Sequence, residues 1–278
     1  MINRCFLNFL NMCSRGKNFS KKSASRAKRS PPRAEAKTSW GAVADWYEGH
    51  LKGPDTYQEQ VIAPQVTRLL LPQKGKVILE IGCGEGYFTR LLVKEGHSMV
   101  GCDISAELIA RARKHDGPIP YHVAPAEKLA FAADGIFAAV LAVLTLQNME
   151  RIEPVCVEAA RVLAPRGKFV GVINHPAFRI PTHSSWGFDS KTGVQYRRLD
   201  GYLSARRTEI DMHPGGRGKK EFTFSYHRSI QDYSKALRAA GFAIIKIEEW
   251  VSHRTSGEGH RKGAEDTARK EFPLFMAF

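Results

Sequence analysis

The sequence has few cysteines and no long apolar run, and each absence excludes a class of protein. Five cysteines among 278 residues are an odd number, and no two form a Cys-x-x-Cys pair. This spacing excludes the disulfide framework of small secreted domains and gives no sign of a zinc site, so we predict no metal. No apolar stretch approaches the roughly 18–20 residues that a membrane-spanning helix needs. We therefore predict a cytoplasmic protein, without membrane association, whose thiols are free: Cys5, Cys13, Cys83, Cys102 and Cys156.

Acidic residues are scarce at the start of the chain. Residues 1–37 contain ten Lys or Arg and one acid, Glu35, within a chain whose formal net charge is +14. Such a basic, serine-rich leader fits a disordered arm, a start codon assigned too far upstream, or a transit peptide for a mitochondrion or another organelle. Residues 38–278 are only mildly basic, which argues against nucleic-acid binding by the folded part. Binding of nucleic acid through the basic leader is possible but not favoured.

Residues 38–278 alternate between apolar runs of strand length and helical patterns. After a helical segment at 40–71, the predicted strands are 76–81, 98–103, 119–123, 136–144, 168–173, 242–250 and 272–278. Predicted helices at 88–95, 105–115, 152–162 and 230–240 separate them. This alternation predicts an α/β fold with a doubly wound, mostly parallel seven-stranded sheet and helices on both faces. Residues 174–228 interrupt the pattern as an inserted cap segment after strand five, and 251–270 are predicted to form an exposed loop.

The first strand is followed at once by Gly82-Cys-Gly-Glu-Gly86. A dinucleotide-binding turn has a third glycine where this chain has Tyr87, which argues against a nicotinamide-linked oxidoreductase. Glu80 and Glu85 would repel a pyrophosphate, whereas an acid suits a ligand with an ammonium and a sulfonium group, such as S-adenosylmethionine (SAM). Asp103, at the end of the second strand, can accept both hydroxyls of a ribose.

These residues resemble the class I SAM-dependent methyltransferases, in particular small-molecule methylases such as those of quinone biosynthesis. The resemblance extends to Ala126-Glu-Lys-Leu-Ala-Phe131, Arg161-Val-Leu-Ala-Pro-Arg-Gly-Lys168 and Leu237-Arg-Ala-Ala-Gly-Phe242. It departs at Pro125, where the family usually has Asp, and at Phe137-Ala138, where the family has Phe-Asp.

The resemblance implies roles for individual positions. Glu80 would lie near the methionine amine, Asp103 would hold the ribose, and Ala126 with Glu127 would border the adenine. A lid before the first strand would bring Tyr47 to the cofactor. The implied SAM-binding set is Tyr47, Glu80, Gly82, Cys83, Gly84, Gly86, Asp103, Ile104, Ala126, Glu127, Leu144 and Gln147.

Groups that contact the methyl acceptor should follow strands four and five and lie in the inserted segment. His175 is the candidate general base, because the fifth strand would deliver it to the cleft; its alternative is a structural histidine. Gln147-Asn148 lacks the Asn/Asp-Pro-Pro-Tyr/Phe signature of many nucleic-acid amino methylases. The cluster Arg179, Arg197 and Arg198 could hold a carboxylate or phosphate, or form a solvated face. Other candidates are His183, Trp186, Tyr196, Tyr202, His213, Tyr226 and His227.

The sequence therefore predicts an enzyme that transfers a methyl group from SAM to a small molecule. Two alternatives stay open: an RNA or protein methyltransferase that the basic leader helps to recruit, and a SAM-binding or scaffold protein without catalysis. The acceptor and the oligomeric state are not encoded in any pattern that we recognise.

Overall fold

The computed structural model describes residues 55–73, 75–115, 117–211 and 222–278. The predicted leader at 1–37, the lid residue Tyr47 and His213 lie outside the described residues. None of the helices in these ranges combines the length and apolar character that crossing a bilayer requires.

A seven-stranded sheet forms the centre of the described chain, in the order β10-β11-β5-β4-β1-β2-β3. Its strands are β1 (Val77–Ile81), β2 (Ser98–Asp103), β3 (Tyr121–Val123), β4 (Phe137–Val143), β5 (Leu163–Asn174), β10 (Glu248–Trp250) and β11 (Phe275–Ala277). β3, β2, β1, β4 and β5 are parallel, and β11 is antiparallel to both of its neighbours. The predicted fold class is confirmed. The strand order reverses between β1 and β4, which is where open α/β sheets bind ligands.

Helices cover both faces of this sheet because its strands alternate their apolar side chains between the two faces. One face carries Ile78, Met99 and Leu141 and packs with α1 and α2, and the other carries Leu79 and Val140 and packs with α4 and α5. The helices are α1 (Ala63–Leu70, after a π-helical turn at Gln58–Ile62), α2 (Tyr87–Lys94), α3 (Ala106–His115), α4 (Glu153–Val162), α5 (Ile230–Ala239) and α6 (Lys262–Glu271).

The inserted segment after β5 consists of two antiparallel hairpins. One pairs β6 (Ser184–Asp189) with β7 (Val194–Leu199), and the other pairs β8 (Arg206–Asp211) with β9 (Phe222–His227). The first hairpin packs against α6, and β9 packs against the 3₁₀ turn Leu146–Asn148 that follows β4. The insertion therefore reaches the edge of the sheet where the parallel strands end.

Two predictions about the end of the chain were wrong. The predicted loop at 251–270 contains most of α6, whose only buried residue is Ala268, so it has little apolar periodicity to detect. The predicted strand at 242–250 pairs only at β10, because its partner β11 offers three residues, and Ile245 is 83% exposed.

Candidate active site

The turn between β1 and α2 brings the backbone close to neighbouring side chains. Gly82, Gly84 and Gly86 all have positive φ, at 63°, 57° and 81°. A Cβ on Gly82 would lie 2.1 Å from Oγ1 of Thr145, and a Cβ on Gly86 would lie 2.3 Å from the hydroxyl of Tyr121. Steric contact and backbone conformation therefore both require glycine at these two positions.

Asp103 is fixed by the same turn. Its Oδ2 accepts a hydrogen bond from the backbone N–H of Gly84 at 2.9 Å, and its Oδ1 accepts one from Ser105 at 2.8 Å. Burial raises the pKa of this carboxyl, while the backbone N–H groups of Ser105, Gly84 and Ile104 lower it. Each carboxylate oxygen has two acceptor positions, so Asp103 retains the capacity to accept a further hydrogen bond.

Glu80 lies beneath the turn and is 2% exposed. Burial raises the pKa of its carboxyl to about 8; the nearby charge of Asp103 adds to this, and a hydrogen bond from the Thr89 hydroxyl opposes it. Two acids thus share a poorly solvated site. A cation placed there would favour the ionised form of Glu80.

The end of β4 is strained and incompletely bonded. Leu144 has φ of +53°, a conformation that is uncommon outside glycine. Its carbonyl accepts hydrogen bonds from Nε2 of Gln147 at 2.9 Å and from Nδ2 of Asn148 at 3.1 Å. Oε1 of Gln147 is buried and has no hydrogen-bond partner within the described ranges. Buried acceptors are rarely left without a donor, so this oxygen is a candidate ligand contact.

Two segments next to Asp103 contain further residues of the predicted SAM-binding set. Ile104 is 54% exposed, whereas Ala126 is buried and Glu127 is exposed. The two segments adjoin, because the N–H of Ala124 donates to the carbonyl of Asp103 at 2.9 Å. Ile104 therefore offers apolar surface next to Asp103.

Cys83 is packed in the hydrophobic core. Burial raises the pKa of the Cys83 thiol well above its ordinary value, and the side chain packs with Ile109 and Tyr121. The described cysteines, Cys83, Cys102 and Cys156, are free and buried. A buried thiol of raised pKa is a poor nucleophile, which agrees with a packing role for Cys83.

His175 is buried, and both of its ring nitrogens are hydrogen-bonded. Nδ1 accepts from the N–H groups of Ala177 and Phe178 at 3.2 Å, and Nε2 lies 2.6 Å from Oε1 of Glu249. Because Nδ1 accepts two backbone N–H groups, it carries no proton, and Nε2 is the nitrogen that donates to Glu249. Burial lowers the pKa of His175, and Glu249 acts in the opposite direction. Neither ring nitrogen is left free to take a proton from a methyl acceptor. The geometry thus does not support the predicted role of general base and supports the structural alternative.

Comparison with known proteins identifies the fold. Residues 79–171 match a family model described as a methyltransferase domain. The solved structure of a SAM-dependent methyltransferase from Mesorhizobium loti is 28% identical, covers 79% of this chain and 97% of its own, and has a TM-score of 0.62. The chain therefore has the fold of SAM-dependent methyltransferases, and residues 79–171 are similar to their methyltransferase domain.

The curated relatives that this chain matches include proteins named demethylmenaquinone methyltransferase and ubiquinone biosynthesis O-methyltransferase. A demethylmenaquinone methyltransferase of Chlorobaculum parvum is 31% identical over 153 residues, which are 53% of this chain and 63% of the relative. A ubiquinone biosynthesis O-methyltransferase of Rhizobium rhizogenes is 32% identical over 108 residues, which are 37% of this chain and 43% of the relative. The match spans less than two thirds of either relative.

The residues at the glycine turn could hold SAM. Glu80 is a buried acid that could bind an ammonium group, Asp103 could accept from a ribose hydroxyl, and Ile104 has exposed apolar surface that an adenine could cover. Gln147 adds an unpartnered buried acceptor at the neighbouring strand end. Tyr47 lies outside the described residues, so its predicted contact stays a prediction.

Some residues that shape the site were not predicted. Thr145 and Tyr121 press against the glycine turn, and Thr89 on α2 donates to Glu80. No sequence pattern indicates these three residues, because each contacts a residue that is nine or more positions away in the chain.

The predicted acceptor-side residues divide into two groups. Arg179, Arg197 and Trp186 come together near Asn174, at the end of β5. Arg198 is exposed and pairs with Asp200, so it does not belong to this cluster. His227 and Tyr202 have structural contacts: Nε2 of the histidine lies 2.7 Å from the Tyr202 carbonyl, and the Tyr202 hydroxyl accepts from the N–H of Ile230 at 3.0 Å.

Proposed function

We propose that this protein transfers a methyl group from SAM to a small-molecule acceptor. The observation that carries the proposal is the pair of carboxyls at the glycine turn, the buried Glu80 for the SAM amine and the half-buried Asp103 for its ribose. The methylated compounds in the names of the curated relatives are small molecules, which supports this class of acceptor.

SAM, when bound, supplies a methyl group on a positively charged sulfur. The residues of this chain then have to hold the donor and present the acceptor in line with the sulfur–methyl bond. Glu80 binds the ammonium group and Asp103 accepts the ribose hydroxyls, while Gln147 at the end of β4 has an oxygen free to accept from a donor group. The hairpin strand β9 packs on the turn that contains Gln147, so the inserted segment lies next to this strand end.

Proton removal from the acceptor is not assigned to His175, because both of its ring nitrogens are engaged. An acceptor whose nucleophilic atom has already lost its proton needs no protein base. The acceptor's own acidity would then set the pH dependence of the rate.

The experiment is incubation of the full chain with methyl-labelled SAM and a cell extract separated into small molecules, RNA and protein. Label in the small-molecule fraction is the expected result. Label in RNA or protein would contradict the proposal, and SAM binding without label in any fraction would favour a non-catalytic protein. An Asp103→Ala control, tested at a SAM concentration below the dissociation constant of the wild type, should show less label in every fraction.

The division into a leader, 1–37, and a methyltransferase domain, 38–278, remains part of this proposal. A chain that lacks residues 1–37 should methylate the small-molecule acceptor at the rate of the full chain. A loss of turnover would instead favour recruitment of a macromolecular substrate through the basic leader.

A further inference from the structure

Arg179 is a partly buried cation at the end of β5. Its Nη1 donates to Oδ1 of Asn174 at 2.8 Å, and its guanidinium carbon lies 5.3 Å from the centre of the Phe275 ring. Burial lowers the pKa of this guanidinium, and the positive charge of Arg197 lowers it further, whereas Tyr57 acts in the opposite direction. The side chain has therefore left water without gaining a full set of polar contacts.

Arg197 reaches the same place from β7. Its Nε donates to the carbonyl of Phe178 at 2.9 Å, its Nη2 donates to Oγ of Ser184 at 2.7 Å, and its guanidinium lies 5.0 Å from the Trp186 ring centre. Because Phe178 precedes Arg179, this bond ties the two arginines together. Burial also lowers the pKa of Arg197.

Neither guanidinium has a carboxylate within 4.0 Å in the part of the chain that the structure describes. Two other partly buried arginines differ in this respect, because each has several polar partners. Arg161 pairs with Glu158 and Asp134, and Arg228 donates to the carbonyls of Met149 and Glu150. Partly desolvated cations without a counter-charge are costly, and an incoming anion would offset that cost.

The cluster lies beside the cofactor site. Asn174 is the last residue of β5, and it pairs with Phe275 at the start of β11. On the other side of β5, the N–H of Leu144 donates to the carbonyl of Val172 at 2.7 Å. Arg179 is therefore hydrogen-bonded to the last residue of β5, the strand next to β4. Asp103 ends β2, which lies on the other side of β4 and β1 in the sheet.

We propose that Arg179 and Arg197 form an anion-binding subsite that holds a carboxylate or phosphate group of the methyl acceptor. This inference rests on the proposed function and narrows it to an acidic acceptor. Nε and Nη2 of Arg179 and Nη1 of Arg197 make no hydrogen bond to any described residue, so donors remain for two oxygens of one anion. Trp186 beneath Arg197 adds a flat apolar surface for the rest of the molecule.

The test measures ligand binding, so it does not depend on knowing the acceptor. The full chain is saturated with S-adenosylhomocysteine, and the dissociation constants of phenyl phosphate, benzoate and benzyl alcohol are measured by ligand-observed NMR at constant ionic strength. Phenyl phosphate and benzoate distinguish the two anion types, and benzyl alcohol is the neutral control. We expect at least one anion to bind at least tenfold more tightly than benzyl alcohol.

The variants locate the site. Arg179→Gln and Arg197→Gln should each weaken binding of that anion at least tenfold, and Arg197→Lys should recover only part of the loss because it lacks the planar fork. Arg198→Gln, on the next residue of the same strand, is the matched control and should bind as the wild type does. Unchanged affinity for S-adenosylhomocysteine shows that each variant is folded.

Two results would overturn the subsite: equal binding of the anions and benzyl alcohol by the wild type, or undiminished anion binding in both glutamine variants. Failure of the wild type to bind S-adenosylhomocysteine would instead overturn the proposed function, so the two failures are distinguishable.

Discussion

The buried carboxyl of Glu80 should lower the free energy of unfolding at neutral pH, and Glu80→Gln should raise it again. The unfolded chain ionises this carboxyl near the ordinary pKa of about 4.5, whereas burial keeps it protonated in the folded chain up to about pH 8. The folded state therefore binds more protons between these two values. Wild-type stability consequently falls as pH rises from 4.5 to 8 and is constant, with respect to this group, above pH 8.

The size of the effect follows from the pKa difference. Each tenfold preference for the protonated form corresponds to about 1.4 kcal/mol, so the penalty is about 3 kcal/mol at pH 7 and about 5 kcal/mol above pH 8. Glu80→Gln is neutral at every pH and can still accept from the Thr89 hydroxyl. Its free energy of unfolding should equal that of the wild type near pH 4.5 and exceed it by about these amounts at the higher values.

Urea denaturation at pH 4.5, 7 and 8.5 measures this difference directly. Glu127→Gln, which removes an exposed carboxyl from the same domain, is the control and should show no such trend. If the difference in the free energy of unfolding between Glu80→Gln and the wild type did not increase with pH, the reasoning would be refuted. A carboxyl whose pKa is raised in the folded state must make the wild type less stable as pH rises.

SAM binding should show the opposite preference. An ammonium group beside Glu80 stabilises the ionised carboxylate, so binding releases a proton and the wild-type affinity should increase as pH rises toward 8. We expect Glu80→Gln to bind SAM at least tenfold more weakly than the wild type at pH 8. Calorimetry in two buffers of different ionisation enthalpy would detect the released proton, and buffer-independent heats would contradict the assignment.

Three further substitutions test the remaining parts of the site. Asp103→Ala should weaken SAM binding at least tenfold in a calorimetric titration, and unchanged affinity would remove the ribose assignment. Gly82→Ala should lower the free energy of unfolding by more than Gly84→Ala, because both need positive φ but only Gly82 meets Thr145; equal losses would contradict the steric argument. His175→Gln should destabilise the fold by about 1–3 kcal/mol while the pH profile of turnover keeps its shape. A lost ionisation in that profile would restore His175 as a general base.

The cofactor half of the site is predictable from the sequence because it is local. β1, the glycine turn and the start of α2 are consecutive, and Asp103 ends the next strand along the chain. Apolar runs bounded by glycines give these elements to within about a residue, and the parallel topology then brings their ends together.

The acceptor half is assembled from segments that are distant in the chain, and its strands have little apolar periodicity. Strands β6 and β7 have largely exposed or half-buried faces, so neither shows the alternation of a core strand. His175 follows the last residue of β5, but the orientation of its ring depends on Glu249, 74 residues later. No local spacing predicts such a contact.

The same physical difference explains why the arginine cluster acquires meaning only in three dimensions. In the sequence, Arg197 and Arg198 are equivalent neighbours, and either could belong to a solvated face. Successive side chains of a strand point to opposite sides, so β7 turns Arg198 toward Asp200 and solvent and turns Arg197 toward Arg179. One of two identical side chains is thereby neutralised at the surface, and the other is desolvated beside a like charge. An anionic acceptor is the partner that this asymmetry favours, and it is also the feature by which the acceptor could be recognised among the small molecules of an extract.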